Sequence, residues 1–446
     1  MKSEMKAIER IQAELQKNGI EYYKIYEDRK QSAELFYIKK DIDIVRRTSV
    51  TDCTVTVYRD FESGGVKMRG SAAAVIYPDM SAEEISTALQ KAYYAASFVK
   101  NKFYELPGVE AGAPGESASQ ETYDLTVEAF KMGEALFRAE DTGGRSFLNS
   151  AEIFAEQHVL RVVNSEGIDV NYVRYSFNGE FVTQCISNGQ DVELHTQFAY
   201  RAPEYDQLMA KARAALLNTE DRAEAFDPPA AGKYAVMLSG THVATLLDYY
   251  MTRTQGGMIY AGYSSYQKGC FIQGNETDFK GEKLNLSLKA TVPYSAEGIR
   301  MQDRVLTEHG ILKTIHCGAR YAYYLGIEPT GDYSALECQN GTMSVEALQN
   351  AVDSENDSVL YVAAFSDFQM DAFSGQFGGE IRLAYLYQKV NGKIQVRKLT
   401  GGSVNGSILD AQNTMVFSKE RYKDNTYEGP YAVRFDNISV AGCDIK

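Results

Sequence analysis

Two hydrophobic periods alternate along this chain. Near its start, Met5, Ile8, Ile11 and Leu15 recur at helical spacing over residues 3–17, and Asn18-Gly19 supplies the residues that end a helix. The period then falls to two. Glu21–Tyr26, Leu35–Val45 and Thr51–Tyr58 read as extended segments, the last with Cys53, Val55 and Val57 on one face. Ser63-Gly64-Gly65 predicts a hairpin turn into Val66–Ile76. Ser81-Ala82-Glu83-Glu84 is a capping box, with serine at the N-cap and glutamate three residues on. It launches a helix to about Lys102 whose buried stripe is Ile85, Leu89, Ala92, Ala96 and Val99.

Gly108–Gln120 is small, polar and glycine-rich, the composition of a linker. A helix is predicted over 122–139, with Leu125, Phe130 and Leu136 on its apolar side. Arg145–Arg201 reads as a run of strands punctuated by Asn164-Ser165-Glu166-Gly167, Asn178-Gly179 and Asn188-Gly189. Asn-Gly between alternating runs is a hairpin signal. Tyr205–Leu217 predicts another helix, and the Pro228-Pro229 segment Phe226–Gly232 closes the unit. Lys233–Met251 opens the last half as a buried strand, a turn at Ser239-Gly240 and a helix. After the Gly/Tyr-rich passage Gly256–Gly269 come many short strands and one helix at Ser344–Val352. Asn391-Gly392 joins Arg382–Lys389 to Lys393–Lys398 in a hairpin. The predicted fold class is α+β: N-terminal α/β units with small antiparallel sheets, then a β-rich, barrel-like C-terminal domain. The predicted domains are 1–107, 108–225 and 226–446, and no internal repeat of fixed period occurs.

Composition narrows the classes. The chain has 446 residues, enough for two or three domains. Its 31 tyrosines and lack of tryptophan suit half-buried pleated surfaces. A formal charge of −14, with no basic run longer than Lys39-Lys40 or Arg46-Arg47, argues against direct nucleic-acid binding. Cys53, Cys185, Cys270, Cys317, Cys338 and Cys443 are scattered without a C-x-x-C, which reads as reduced thiols. Neither a signal-peptide pattern nor an apolar run long enough to span a membrane is visible, so the expectation is a soluble cytoplasmic protein.

Five histidines make a complete search for chemistry short. None is followed by glutamate, which excludes H-E-x-x-H zinc helices and their near spacings. His316-Cys317 is the best pair of soft ligands, yet Gly310–Gly318 alternates like a strand, and neighbours on a strand point to opposite faces. His309 could approach His316 across a hairpin, without an evident third ligand. His242 stands at a helix start, as a base or ligand or as an ordinary capped residue. Asp367 and Asp371 are paired carboxylates or turn formers beside Gly375. No Walker loop, G-x-S-x-G or dinucleotide fingerprint occurs. Ser374–Gly379 lacks the lysine and following helix of a phosphate cradle. Low-ranking candidates for an independent site are therefore His242, His316 and Cys317.

The order of parts resembles the TldD/PmbA family, historically labelled modulators of DNA gyrase, over nearly the whole length. The resemblance rests on the Ser81-capped helix, on Val163-Asn-Ser-Glu-Gly167, and on Gly310-Ile-Leu-Lys-Thr314 with Ala319–Gly326 and Thr330-Gly331. It continues in Asp371–Phe377 with Val390-Asn-Gly-Lys393, and in Thr400-Gly-Gly-Ser403. TldD-kind members carry H-E-x-x-x-H on the helix corresponding to Ser239–Met251 and a cysteine that would fall near Asn425–Gly429. Here the glutamate, the second histidine and the cysteine are missing together. The chain is thus similar to the PmbA (TldE) kind. That resemblance implies a non-catalytic subunit of a heterodimeric metallopeptidase acting on unfolded or modified peptides. Zinc is then expected only in the TldD-like partner, with no cofactor in this chain, and a homodimer is expected in isolation. The alternatives are a stand-alone hydrolase with an unrecognised site and a protein-binding modulator of gyrase. No direct nucleic-acid or membrane contact is expected.

Overall fold

The computed structural model describes residues 7–112, 122–187, 189–352 and 358–443. Helix α1 (Ala7–Lys17) leads into strands β1 (Tyr22–Ile38), β2 (Asp41–Ser63) and β3 (Val66–Ile76), then helix α2 (Ala82–Ala96). Helix α3 (Leu125–Phe137) precedes β4 (Phe147–Asn164), β5 (Asp169–Ser187), β6 (Gln190–Tyr200) and helix α4 (Tyr205–Ala223). The six strands form one antiparallel sheet in the order β3-β2-β1-β4-β5-β6.

The α+β class holds, but the N-terminal sheets are neither small nor separate. Lys24–Ile38 of β1 runs against Ser150–Asn164 of β4, so the boundary expected at 107/108 divides two helical layers over a continuous sheet. Both layers use the odd-numbered face of the long strands. At one end Ile8, Ile11 and Leu15 of α1, with Ile85 and Leu89 of α2, cover Ile25, Cys53, Val55 and Val57. At the other, α3 and α4 bring Met132, Leu136, Leu208 and Leu216 onto Leu35, Ile153, Phe177 and Phe181. Each such side chain, fully buried, contributes roughly 1.5–3 kcal/mol.

Several expectations change. Leu35–Val45 is not one strand: it turns at Lys39-Lys40, where Lys39 has φ 54°. Asn178-Gly179 is no turn but lies inside β5, opposite Phe154 and Ile153. A Cβ on Gly179 would stand 2.0 Å from the Glu152 carbonyl oxygen, so this glycine answers a close approach of strands. The Ser81 capping box forms, but α2 ends at Ala96, leaving Val99 exposed, and Phe130 of α3 also faces outward. The turns at Ser63–Gly65, Asn164–Gly167 and Asn391-Gly392 form as predicted. Most of the expected linker and Asn188 lie outside the described residues.

The C-terminal half begins with β7 (Gly232–Ser239) and helix α5 (Thr241–Arg253), as the apolar run and the turn at Gly240 predict. Strand β7 pairs with Ala432–Ala441 on one side and Ser358–Phe365 on the other. Gln376–Val390 pairs with both Ser358–Phe365 and Ser403–Ser407, and the latter returns to Ala432–Ala441. The sheet thereby curls back on itself, the barrel-like form expected. Val243, Leu246, Leu247 and Tyr250 of α5 sit in its core at 0% exposure. A second, mixed sheet carries Leu286–Leu288, Leu336–Cys338 and Tyr427–Pro430. Among the described residues no helix is long and apolar enough to cross a membrane.

The halves meet on the even-numbered face of the large sheet. Tyr26, Val162, Val170 and Tyr172 cluster with Tyr294 of the C-terminal half. The Asn425 amide donates to the Ala199 carbonyl (3.0 Å), and Arg201 donates to the Asn425 carbonyl.

Candidate functional site

Strand β7 is apolar because both its faces are covered, and it delivers the chain to Gly240. There φ is +59°, a conformation glycine adopts without a Cβ clash, and the Gly240 amide donates to the Tyr431 carbonyl at 2.8 Å. Helix α5 starts immediately afterwards, with no side-chain cap on its first turn. Its first residue, Thr241, lines a cavity of about 550 Å³ between the two halves of the molecule.

The cavity floor is the even-numbered face of the large sheet. Glu152, Phe154, Ser176, Asn178 and Glu180 contribute side chains from β4 and β5, and Gln197 and Ala199 come from β6. Lys211 enters from α4, and Tyr422, Asp424 and Asn425 close the C-terminal side. The alternation that buries odd positions of β4 and β5 under helices leaves their even positions to line this space, and the pairing of Asn178 with Ala199 carries the same face onto the odd positions of β6.

Lys211 is the wall's one lysine. Its Nζ donates to the Gln197 carbonyl (3.1 Å) and the Tyr422 hydroxyl (3.2 Å) and sits over the Tyr422 ring. Burial pushes the ammonium below the usual lysine value, with Asp424 opposing that shift. Glu152 and Glu180 stand directly opposite each other on β4 and β5, an arrangement that repels unless a cation or donor intervenes. His195 Nε2 approaches Glu180 at 3.1 Å. Asp424 is committed to a turn, accepting from the amides of Thr426 and Tyr427, both at 2.8 Å. Further along the same face, His158 Nδ1 meets Asp28 at 2.9 Å, and Glu156 accepts from Asn178 at 3.2 Å. The cavity thus offers hydrogen-bond donors, acceptors and charges of both signs to an elongated polar ligand.

The sequence candidates lie elsewhere. His242 follows Thr241 but turns into Phe365 and Phe368, with ring centroids 4.9 and 5.2 Å away. Burial pushes its imidazole down to about 4, so it is neutral at pH 7, and its Nδ1 has no partner. His316 is fully buried, with Nε2 hydrogen-bonded to the Met251 carbonyl at 2.9 Å. Cys317 packs on Gly256, and burial pushes its thiol up to about 12. Both residues hold the C-terminal end of α5: the Gly256 amide donates to the His316 carbonyl at 2.9 Å. His309 is exposed on the turn before Gly310, so the hairpin does not bring it to His316 in the core. Asp371 accepts from the Phe373 amide (2.7 Å) and the Ser374 hydroxyl (2.8 Å), as a turn former does.

The residues at the cavity do not fit a zinc ion. The position after His242 is Val243, and Leu247 lies five residues on; both are fully buried and offer no lone pair. Among the described residues no group of three His, Cys, Asp or Glu side chains is arranged to hold a metal. The cavity residues Lys211, Glu152, Glu180 and Tyr422 carry no motif and were not candidates in the sequence. Only the two glutamates had a legible signal, as even-numbered polar residues inside long strands whose odd positions are apolar; Lys211 on α4 and Tyr422 on a three-residue strand had none.

Comparisons with known proteins follow this geometry. Residues 231–442 match the family described as "PmbA/TldA metallopeptidase C-terminal domain". Among solved structures, TldE from Thermococcus kodakarensis superposes with a TM-score of 0.76 at 15% identity, covering 97% of this chain and 100% of that one. A proposed modulator of a DNA gyrase from Thermotoga maritima gives 0.72 at 16% identity, covering 97% of this chain and 99% of that one. Another, from Bacteroides thetaiotaomicron, gives 0.71 at 15% identity, covering 97% of each chain. No curated protein sequence matches.

Proposed function

This chain is, through its C-terminal domain, a member of the TldD/PmbA family, and we propose that it acts there as a non-catalytic, TldE-like subunit. Its partner is a zinc-bearing, TldD-like metallopeptidase chain, and the pair acts on unfolded or modified peptides. The observation that carries this reading is helix α5. It opens on the cavity with Thr241, yet Val243 and Leu247 face the core where metal hydrolysis needs a base and a ligand. The cavity supports the peptide-holding part of the role. Its polar floor, with backbone and side-chain groups of both signs, suits a chain in extended conformation better than a compact apolar molecule.

A stand-alone hydrolase has less support, because His242 packs against Phe365 and Phe368, His316 is fully buried on the Met251 carbonyl, and neither lines the cavity. The test mixes the purified chain with a TldD-like partner and follows cleavage of an unfolded peptide, with zinc measured on each component. Cleavage that needs both chains, with zinc only on the partner, is the expected result. Full peptidase activity or stoichiometric zinc on this chain alone overturns the reading.

A further inference from the structure

Two opposite charges on the cavity lack ionic partners, and one rung of the large sheet joins them. Gln197 of β6 lies opposite Glu180 of β5, and Glu180 lies opposite Glu152 of β4. At one end of this rung Lys211 reaches past edge strand β6 and donates to the Gln197 carbonyl at 3.1 Å. Its second hydrogen bond, at 3.2 Å, goes to the Tyr422 hydroxyl. An ammonium has a third donor to place, and among the described residues no carboxylate is within ion-pair reach of this one. Asp424, on the same wall, is spent on the amides of Thr426 and Tyr427. At the other end the Glu152 carboxylate meets neither cation nor donor among the described residues, whereas Glu180 already meets His195 and Gln197. Half-buried charges without partners lower stability, and a ligand of matching charge removes that cost.

We propose that the cavity is a binding site for a short zwitterionic peptide held by its two ends, the C-terminal carboxylate on Lys211 and the N-terminal ammonium on Glu152. Lys211 offers its unspent N–H to the carboxylate. The Tyr422 oxygen accepts from Lys211, so its own proton is free to donate to the same group. An ammonium entering between Glu152 and Glu180 relieves their repulsion. The sheet sets the length. Two strand spacings separate β6 from β4, about 10 Å, and an extended peptide spans about 3.3–3.6 Å per residue. A hydrogen bond at each end takes up part of that distance, so two or three residues fit. The volume of about 550 Å³ lies within the roughly 300–1,000 Å³ of small-ligand sites. A lone anion would leave Glu152 unpaired, and the interior of a long chain has no charged ends to offer. This inference rests on the cavity's peptide-holding role and narrows it to fragments with both ends free, the size class that peptidase cleavage yields.

Calorimetric titration of the full chain, without a partner, tests it. The probe is trialanine, compared with N-acetyl-trialanine, trialanine amide and the doubly blocked acetyl-Ala-Asp-Ala amide. Trialanine is expected to bind, and blocking either end is expected to weaken binding at least tenfold, the scale of one charge-assisted hydrogen bond. Lys211→Met is expected to bind trialanine and its amide alike, and Glu152→Gln to bind trialanine and its acetyl form alike, each keeping the preference at the other end. No binding at millimolar trialanine overturns the inference. So do blocked peptides that bind as tightly as the free one, or variants that keep both preferences. The doubly blocked aspartyl peptide binding as tightly as trialanine also overturns it, because the carboxylate would then come from a side chain. Partner-dependent cleavage without any trialanine binding sinks this inference alone; the end preferences without partner-dependent cleavage sink only the subunit role.

Discussion

Replacing Gly179 by alanine adds one methyl group where β5 lies against the Glu152 carbonyl of β4. The new Cβ would lie 2.0 Å from the Glu152 carbonyl oxygen and 2.8 Å from the Phe198 ring, whereas ordinary contacts begin at 3.4 Å. The phenyl ring can tilt, but the carbonyl belongs to a strand paired on both sides. The strands must therefore separate by more than an ångström locally. Overpacking of this kind costs about 1–3 kcal/mol, and weakened ladder hydrogen bonds beside it add about 0.5–1.5 kcal/mol each. Alanine returns about 0.5–1 kcal/mol by restricting the unfolded chain. The net expectation is a loss of about 2 kcal/mol. For a cooperative unit of the size of the N-terminal half this lowers the melting midpoint by about 4–8 °C. Gly232→Ala is the control: it has an ordinary φ, and its nearest contact is Tyr234 at 3.7 Å. That variant is expected to be neutral or slightly stabilised. Calorimetry of both variants decides, and a Gly179→Ala protein as stable as the Gly232→Ala protein would refute the close-approach account.

Three further outcomes are expected. Asp28 first, then Glu156, hold His158 above its ordinary 6.5, so its contribution is whole below that value and fades as pH rises through the raised one. Glu156, drawn down to about 2 chiefly by His158, contributes above its ordinary 4.5 and loses that on acidification. The melting gap between wild type and His158→Gln should therefore be widest between these two ordinary values and narrow toward alkaline pH; a gap independent of pH contradicts this. Arg69, 3% exposed, forks onto Asp60, donates to the Tyr104 carbonyl at 2.9 Å and lies over Tyr22 and Phe103. Arg69→Met leaves the Asp60 carboxylate with only the Lys67 ammonium at 3.8 Å and the Tyr104 carbonyl without its donor, and should cost about 3 kcal/mol in denaturant titration; a loss within the error of a surface substitution would discount the fork. For Lys211, burial penalises the charged form, so the wild type gains stability as pH rises from the lowered value toward 10.5. Lys211→Met should be at least as stable at pH 7, with its advantage shrinking in strong alkali; a Lys211→Met protein markedly less stable at pH 7 would show that the two hydrogen bonds outweigh desolvation.

Legibility followed the local physics. The Ser81 capping box, the glycine turns at 63–65 and 164–167, and the strand-turn-helix at Gly240 are each written within a few residues, and each formed. The turn at Lys39-Lys40 was hidden because alternation continues through both strands of the hairpin, and lysine leaves no compositional mark there. Asn178-Gly179 shows the opposite failure. The dipeptide has turn chemistry, but the same glycine also satisfies a tight interstrand contact, and only the neighbouring strand decides between them. The missing metal donors of α5 were readable from residue types alone. The cavity was not, since Lys211, Glu152 and Asn425 come from three distant segments and converge only when the two halves close.

The central position of β1 has a consequence for how the chain is made. Lys24–Ile38 pairs with β2 at once, but its other edge waits for Ser150–Asn164 to leave the ribosome. Until then a seventeen-residue strand keeps one side open. The N-terminal unit is thus a late-completing body dominated by distant contacts, the kind that folds slowly. A fragment cut at residue 107 would retain both its helices but be sticky along that side, and co-expression with residues 108–225 should restore its solubility.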